Sequence, residues 1–452
     1  MKTVVIGAGI SGLATAYALR ERDPDVDVQV LEASDRVGGK AFADRTQEGF
    51  LCESGVNAFL DNKPRTLELA HKLALEPVTS FDASRHRFVY SAGRLHELPA
   101  SPPAFFKSNL LSVPGRLRII GEMLVPRGGA ADESLAQFAT RRLGREAYEK
   151  LIDPMATGVF AGDASKLSLN ACFPRIHEVE QQYRSLILGL IKLQAAARKQ
   201  GRKDTPGPGP GGKLTSFVDG MSVMTDALAA ALGERVKVSW PVEAISRVGE
   251  RYVVHATGLP DIEAERVIVA APAHAQATML DALSPEIATL LAAIRYPSLA
   301  VVCFGYRRER VQHHLDGFGF LIPSSEQRKI LGTLWDASIF PNRAPEGYAL
   351  LRTMVGGARA SELALLPEDQ MVDLVRRELA ATMGVDASPE FVRIYRHEQA
   401  IPQYAVGHSA RLAEIDRVLQ RFPNLILTGN AYRGVAWNDC IANAYALAER
   451  LV

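Results

Sequence analysis

Thr3-Val4-Val5-Ile6 is a short apolar run that stops at Gly7, and Leu13, Ala16, Tyr17 and Arg20 follow it at helical spacing. That pattern predicts a buried strand, a glycine turn and a helix. Val28–Leu31 is a second apolar run and ends at Glu32. Further along, Arg235-Val236-Lys237-Val238-Ser239-Trp240 and Arg251-Tyr252-Val253-Val254-His255-Ala256 alternate as strands, while Arg266-Val267-Ile268-Val269-Ala270-Ala271-Pro272 reads as an apolar strand ending in a turn. Residues 299–306, 319–322 and 348–354 predict a second sheet, and 422–428 and 438–451 a final strand and helix. The two ends of the chain are expected to meet in one domain. Between the strand-rich regions, Tyr183, Leu186, Ile187, Leu190 and Ile191 fall at helical spacing, and Thr205-Pro206-Gly207-Pro208-Gly209-Pro210-Gly211-Gly212 reads as a linker or loop.

Charge separates the middle from the rest. Residues 85–213 hold 20 Lys and Arg against 11 Asp and Glu, inside a chain whose total is only +1. A near-neutral chain with one basic module is not the footprint of a nucleic-acid binder. At 452 residues, 47% hydrophobic and 23% charged, the chain is an ordinary globular one with room for about three structural units of about 150 residues. No fixed-period repeat points to a solenoid. Cys52, Cys172, Cys303 and Cys440 lie far apart without a C-x-x-C pair, so neither a disulfide framework nor a zinc site is indicated, and a reducing compartment fits. The start lacks the pattern of a secretory signal, and the apolar run Ser185-Leu186-Ile187-Leu188-Gly189-Leu190-Ile191 stops at Lys192, well short of the ~20 residues of a spanning helix.

Gly7-Ala8-Gly9-Ile10-Ser11-Gly12 sits between the first strand and the first helix, the context a dinucleotide fingerprint requires. Gly7 permits the tight turn, Gly9 the approach of the backbone to a pyrophosphate at the positive end of the helix, and Gly12 close helix–strand packing. Glu32 follows Gly12 by 20 residues, where a carboxylate accepts from ribose hydroxyls. Gly38-Gly39, after Glu32-Ala33-Ser34-Asp35-Arg36-Val37, resembles the glutamate, arginine and double glycine after the second strand of FAD oxidoreductases, where small residues let a second loop lie against the cofactor, and this resemblance tips the reading toward FAD. Gly429-Asn430 ends the last strand, and Gly434-Val435-Ala436-Trp437-Asn438 leads into the final helix, which Asn438 or Asp439 could cap. Aimed at the flavin, the positive end of that helix would stabilise the reduced ring. His313-His314 reads as a surface pair rather than a metal site, no metal ligand set is expected, and Cys440 reads as a small core residue.

These segments resemble the flavin amine oxidase superfamily. Asp153-Pro154-Met155-Ala156-Thr157-Gly158-Val159-Phe160-Ala161-Gly162-Asp163-Ala164-Ser165-Lys166-Leu167-Ser168, Gly317-Phe318-Gly319-Phe320-Leu321-Ile322-Pro323, Phe340-Pro341-Asn342-Arg343-Ala344-Pro345, Ile401-Pro402-Gln403-Tyr404-Ala405-Val406-Gly407-His408 and Gly434-Val435-Ala436-Trp437-Asn438-Asp439-Cys440-Ile441 narrow the resemblance to the protoporphyrinogen oxidase family, over nearly the whole chain. It implies a mixed α/β and α+β fold. A Rossmann-like FAD-binding domain would be assembled from 1–84, 213–275 and 401–452, with a basic helical, membrane-facing domain over 85–212 and a β-rich substrate-binding domain over 276–400. The implied reaction takes six electrons from a porphyrinogen at a non-covalent FAD, with O2 reduced to H2O2, in heme biosynthesis. No protein residue is assigned as catalytic, since flavin N5 is the hydride acceptor.

Carried over by matching positions, the resemblance assigns Arg87 to a substrate propionate and Thr157, Gly158, Phe318, Leu321 and Met354 to the tetrapyrrole. It assigns Gly7, Ala8, Gly9, Ile10, Ser11, Gly12, Glu32, Ala33, Arg36, Gly39, Lys40, Gly55, Val56, Asn57, Ala58, Val242, Gly429, Val435, Ala436 and Trp437 to the cofactor. Lys40 stands where many superfamily members carry arginine. Ser298-Leu299-Ala300-Val301-Val302-Cys303-Phe304 lacks the lysine that amine oxidases hold near N5, with Val302 in roughly its place. The implied partners are a porphyrinogen, O2 and a membrane surface, with no nucleic acid; the implied location is cytoplasmic and peripheral to the membrane, and a homodimer is left open. Coproporphyrinogen in place of protoporphyrinogen, an amine or carotenoid-type oxidoreductase, and a flavin-free carrier on the same fold are the competing readings.

Overall fold

Five parallel strands form the sheet that carries the glycine motif, in the order Val236–Lys237, Val28–Leu31, Thr3–Ile6, Arg266–Val269, Leu425–Leu427. Thr3–Ile6 is the central strand and is buried on both faces, which is why it reads as an unbroken apolar run rather than an alternating one. Helices Ile10–Arg22, Ser222–Leu232 and Trp437–Leu451 close one face through a core that includes Leu13, Leu19, Leu228, Ile441 and Leu447. The other face is covered by the antiparallel ribbon Val242–Val248, Arg251–Ala256 and Ile262–Ala264 together with helices Ala273–Leu280, Pro285–Ala292 and His408–Leu419. The computed structural model describes residues 1–99, 101–129, 132–199 and 212–452; apart from Gly212, the Pro/Gly run read as a linker lies outside them.

A second sheet has seven strands, in the order Phe391–His397, Leu299–Arg307, Tyr348–Gly356, Ile330–Trp335, Gly319–Leu321, Arg87–Ser91, Arg94–Glu97. Its alternation is strict. Ala300, Val302 and Phe304 pack with Met371, Leu374, Val375 and Leu379 of helix Glu368–Met383, while Val301 and Cys303 pack with Phe50 and Cys52. Two segments therefore fall elsewhere than charge and length had placed them. Arg87–Glu97 completes this sheet instead of joining the helical module, and the helices spanning 273–292 belong to the core of the first sheet. Net charge marks a surface, and these boundaries follow from which apolar face each element must bury.

The helical module comprises Pro102–Lys107, Val113–Ile120, Leu135–Leu143, Asp153–Phe160, Pro174–Tyr183 and Leu186–Lys199. The apolar spacing across 183–191 predicts one helix, but two are present. Arg184 takes φ +65, and its carbonyl accepts from the buried Arg142 guanidinium at 2.8 Å. Arg142 is fully buried and also pairs with Glu122 and Glu180, so one side chain satisfies the helix break and its own charge. Phe106, Val113, Leu117, Leu124, Leu188 and Ile191 remain exposed on this module, Leu124 at 90%. No described helix is long and apolar enough to cross a membrane.

Candidate cofactor and substrate sites

At the C-terminal edge of the parallel sheet, Gly7 turns with φ +104 and a Cβ on Gly12 would stand 1.9 Å from the Gly7 carbonyl oxygen, so the helix can approach the strand only with glycine there. Gly9 is the N-cap of helix Ile10–Arg22 and faces open space, and no side chain caps that helix. Its first N–H groups are thus left for a ligand. Gly38 (φ +96) and Gly39 (φ +57) bring the second loop over the first: Gly38 N donates to Ala8 O at 2.9 Å, and a Cβ on Gly39 would lie 3.6 Å from Gly9 Cα. Arg36 stacks over the Phe42 ring at 4.5 Å and donates to Val37 O and Gly39 O, stiffening the loop after Ala33. Glu32 accepts from Ala8 N at 2.7 Å and from Ser34 N and Oγ; a carboxylate has about four lone-pair sites, which leaves capacity for a ribose hydroxyl.

A second group converges from three remote segments. Lys40 Nζ donates to Ala400 O at 2.6 Å and lies over the Tyr296 ring at 5.0 Å, and burial lowers its pKa to about 8. A Cβ on Gly55 would meet the Lys40 carbonyl at 2.6 Å, and the Gly55 carbonyl accepts from Arg352 at 2.9 Å. Val56 packs on the first core, Ala58 beside Met354 and Phe318, and Val242 under the parallel sheet. Gly429 (φ +118) and Gly434 (φ +100) bound the loop that leads through Val435 and Ala436 to Trp437. Neither Asn438 nor Asp439 caps that helix. Ala436 is the N-cap, Asn438 is turned to Thr66 and the Leu60 carbonyl, and Asp439 is paired with Lys63. The Trp437 and Asn438 N–H groups are thus left without a side-chain cap.

A flavin dinucleotide fits these residues. Two helices present uncapped N-termini, the glycines leave room that any Cβ would fill, and Asn57 Nδ2 and Trp437 Nε1 are buried donors without a partner. Buried orphan donors are costly, so their presence at the segments read as flavin contacts points to an acceptor-rich ligand.

Beyond Ala58 the residues that the resemblance assigned to a substrate lie near one another. Arg87 is exposed but lies over the Phe318 ring at 5.3 Å, has no carboxylate partner among the described residues, and is lowered in pKa by desolvation. Strand pairing puts Arg87 opposite Gly319. Phe318 and Met354 pack on Leu334, Ile339 and Phe340, and a Cβ on Gly158 would collide with Leu321 Cδ1 at 2.8 Å. Thr157 is buried with Oγ1 unpartnered. Val302 does not face this space: it points to the side covered by Glu368–Met383, because neighbouring residues of a strand alternate and it is Cys303 and Arg352 that face the cofactor segments. Of the pair read as lying on the surface, His314 is exposed, while His313 is half-buried with its ring against Trp335 at 4.7 Å. Cys440 is buried, with its pKa raised to about 11.

Sequence reasoning missed the support beneath these residues. Glu53 and Arg343, both buried, lie 3.9 Å apart; Arg352 pairs with Asp336 at 2.8 Å and donates to the Glu53 and Gly55 carbonyls. Burial outweighs the nearby guanidinium and raises the Glu53 pKa to about 7. The only signal was a carboxylate and an arginine inside otherwise apolar motifs.

Among known proteins, the model of the flavin-containing amine oxidoreductases matches residues 10–452. A chloroplastic protoporphyrinogen oxidase of Oryza sativa subsp. japonica is 35% identical over 99% of this chain and 87% of its own. A coproporphyrinogen III oxidase of Bacillus subtilis is 32% identical over 97% of this chain and 95% of its own. The crystal structure of a putative protoporphyrinogen oxidase from Exiguobacterium sp. 255-15 superposes with a TM-score of 0.83 at 26% identity, covering 100% of this chain and 98% of that one.

Proposed function

The chain belongs to the flavin-containing amine oxidoreductase family, and we propose from that premise that it is an FAD-dependent oxidase of porphyrinogens, with protoporphyrinogen IX as substrate and O2 as acceptor. Bound FAD supplies a two-electron acceptor that O2 reoxidises, so six hydrogens leave the substrate in three rounds and three O2 become three H2O2. The protein's part is placement. Gly7, Gly9 and Gly12 would admit the FAD pyrophosphate and Glu32 would take a ribose hydroxyl, while the uncapped N-terminus at Trp437 would favour the reduced ring. Arg87 holds a propionate through its planar fork while Phe318, Leu321 and Met354 press on the macrocycle and exclude water.

The observation that carries this reading is Arg87: an unpaired guanidinium stacked on Phe318, at the rim of an apolar cluster that reaches Ala58 of the cofactor site. Purified protein should be yellow, bleach on anaerobic addition of protoporphyrinogen, and regain colour in air with porphyrin fluorescence and H2O2. A flavoprotein that bleaches with amines and not with porphyrinogens would overturn it. The identity to the Bacillus enzyme supports coproporphyrinogen III as the second reading, decided by kcat/KM on the two substrates side by side. The module around Phe106, Val113, Leu117, Leu124, Leu188 and Ile191, with its excess of cations, supports peripheral docking on an anionic membrane.

A further inference from the structure

Ile401 to His408 includes a tyrosine that touches three parts of the molecule. Tyr404 is 1% exposed. Its hydroxyl donates to the Asn430 carbonyl at 2.6 Å and accepts from the Gly434 N–H at 3.1 Å, bracketing the glycine-bounded loop that leads into the C-terminal helix. That loop has no ladder of its own, so its shape depends on contacts from outside. The tyrosine ring stacks on His408 at 4.2 Å and 11° and tilts against Phe160, the last residue of the helix that carries Thr157 and Gly158. Its carbonyl accepts from Ser168 N at 2.8 Å. Burial raises the phenol pKa, so the hydroxyl keeps the proton it donates.

We propose that Tyr404 is a positioning residue for the flavin: its hydroxyl fixes the loop that aims the uncapped N-terminus of helix Trp437–Leu451, and its ring ties that loop to the helix bordering the substrate cleft. The proposal rests on the FAD reading above. Tyr404→Phe keeps both ring contacts and leaves Asn430 O and Gly434 N without their shared partner. A loop freed at both ends aims the helix less well. Reduced, anionic flavin gains most from a positive helix end and should lose most.

The test measures FAD dissociation constant and flavin midpoint potential for the full chain, Tyr404→Phe and Tyr252→Phe. Tyr252 is a matched control: it is buried and donates to Pro423 O at 2.7 Å, on the far face of the sheet. We expect Tyr404→Phe to weaken FAD binding about tenfold or more and to lower the potential, and Tyr252→Phe to lower only the melting temperature. Wild-type values of both quantities in Tyr404→Phe, or equal shifts in Tyr252→Phe, overturn the proposal. Amide exchange on the wild type needs no variant. Gly434 N–H should be protected with and without added FAD, and unprotected exchange without FAD also overturns it. A wild type that binds no flavin sinks the FAD reading instead.

Discussion

Arg87 meets a ring, Phe318, rather than a carboxylate, so its charge is free for a ligand such as the proposed propionate. A propionate held there would sit at the periphery of the macrocycle, so the proposed contact should supply mostly uniform binding. Arg87→Ala is expected to raise KM by roughly tenfold to a hundredfold and to lower kcat less, as loss of a charge-assisted bond of about 1.5 to 3 kcal/mol requires. Arg87→Lys should recover only part, lacking the fork. Steady-state porphyrin fluorescence corrected for autoxidation reads all three, and a shared KM at equal FAD content would make Arg87 a surface cation. Gly9 faces open space, so Gly9→Val should fold yet lose flavin absorbance; full occupancy in a folded variant removes Gly9 from the cofactor site. Glu53 gives a pH signature. Its folded pKa, about 7, lies above the unfolded 4.5, so its favourable contribution is complete below about pH 4.5 and is lost as pH rises through 7, roughly 3 kcal/mol in all. Urea unfolding between pH 5 and 8 should show that decline in wild type and a flatter profile in Glu53→Gln. The turns and close approaches at Gly7, Gly12, Gly38 and Gly39 were legible because each belongs to a local motif, whereas Arg87 was assigned through the resemblance and not by any local signal. The network of Glu53, Arg343, Arg352 and Asp336 was not legible, because burial defines it and Glu53 meets Arg343 and Arg352 from hundreds of residues away.

Whole elements carry what single residues cannot. Val113–Ile120 packs on the 3-10 turn Gly121–Leu124, and Leu186–Lys199 packs on the same turn, which groups the exposed Leu117, Leu124, Leu188 and Ile191 around it. Leu117→Asp with Leu124→Asp adds charge and removes two apolar contacts while leaving the Arg142 network intact. Co-sedimentation with anionic vesicles is expected to fall at least tenfold, given about 1.5 to 3 kcal/mol for each fully inserted leucine, with FAD content unchanged. Equal binding by the double variant would show that this face does not dock. Periodicity made the first and last helices and strands such as 3–6, 266–269, 299–306 and 348–354 legible, and did not reach Glu368–Met383, His408–Leu419, Ile330–Trp335 or Phe391–His397. It could not show the break at Arg184, whose apolar neighbours continue the pattern, because a buried guanidinium on another helix decides it.

At the scale of the molecule, the parallel sheet is sewn from segments lying at both ends and in the middle of the chain. Its central strand, Thr3–Ile6, pairs with Arg266–Val269, which in turn pairs with Leu425–Leu427, and helix Trp437–Leu451 closes the face against the first helix. The meeting of the ends was legible from two apolar strands that each stop at a glycine. The membership of Arg87–Glu97 in the other sheet was not, since pairing partners leave no local mark. That stitching has a consequence for biogenesis. On the ribosome Thr3–Ile6 is made long before Leu425–Leu427, so the nucleotide pocket stays open-sided until that later strand arrives, and its earlier strands are exposed to premature pairing. The pocket can close around a flavin only once both Leu425–Leu427 and the helix Trp437–Leu451 have been made, so the yellow colour has to follow the later segment rather than the glycine motif.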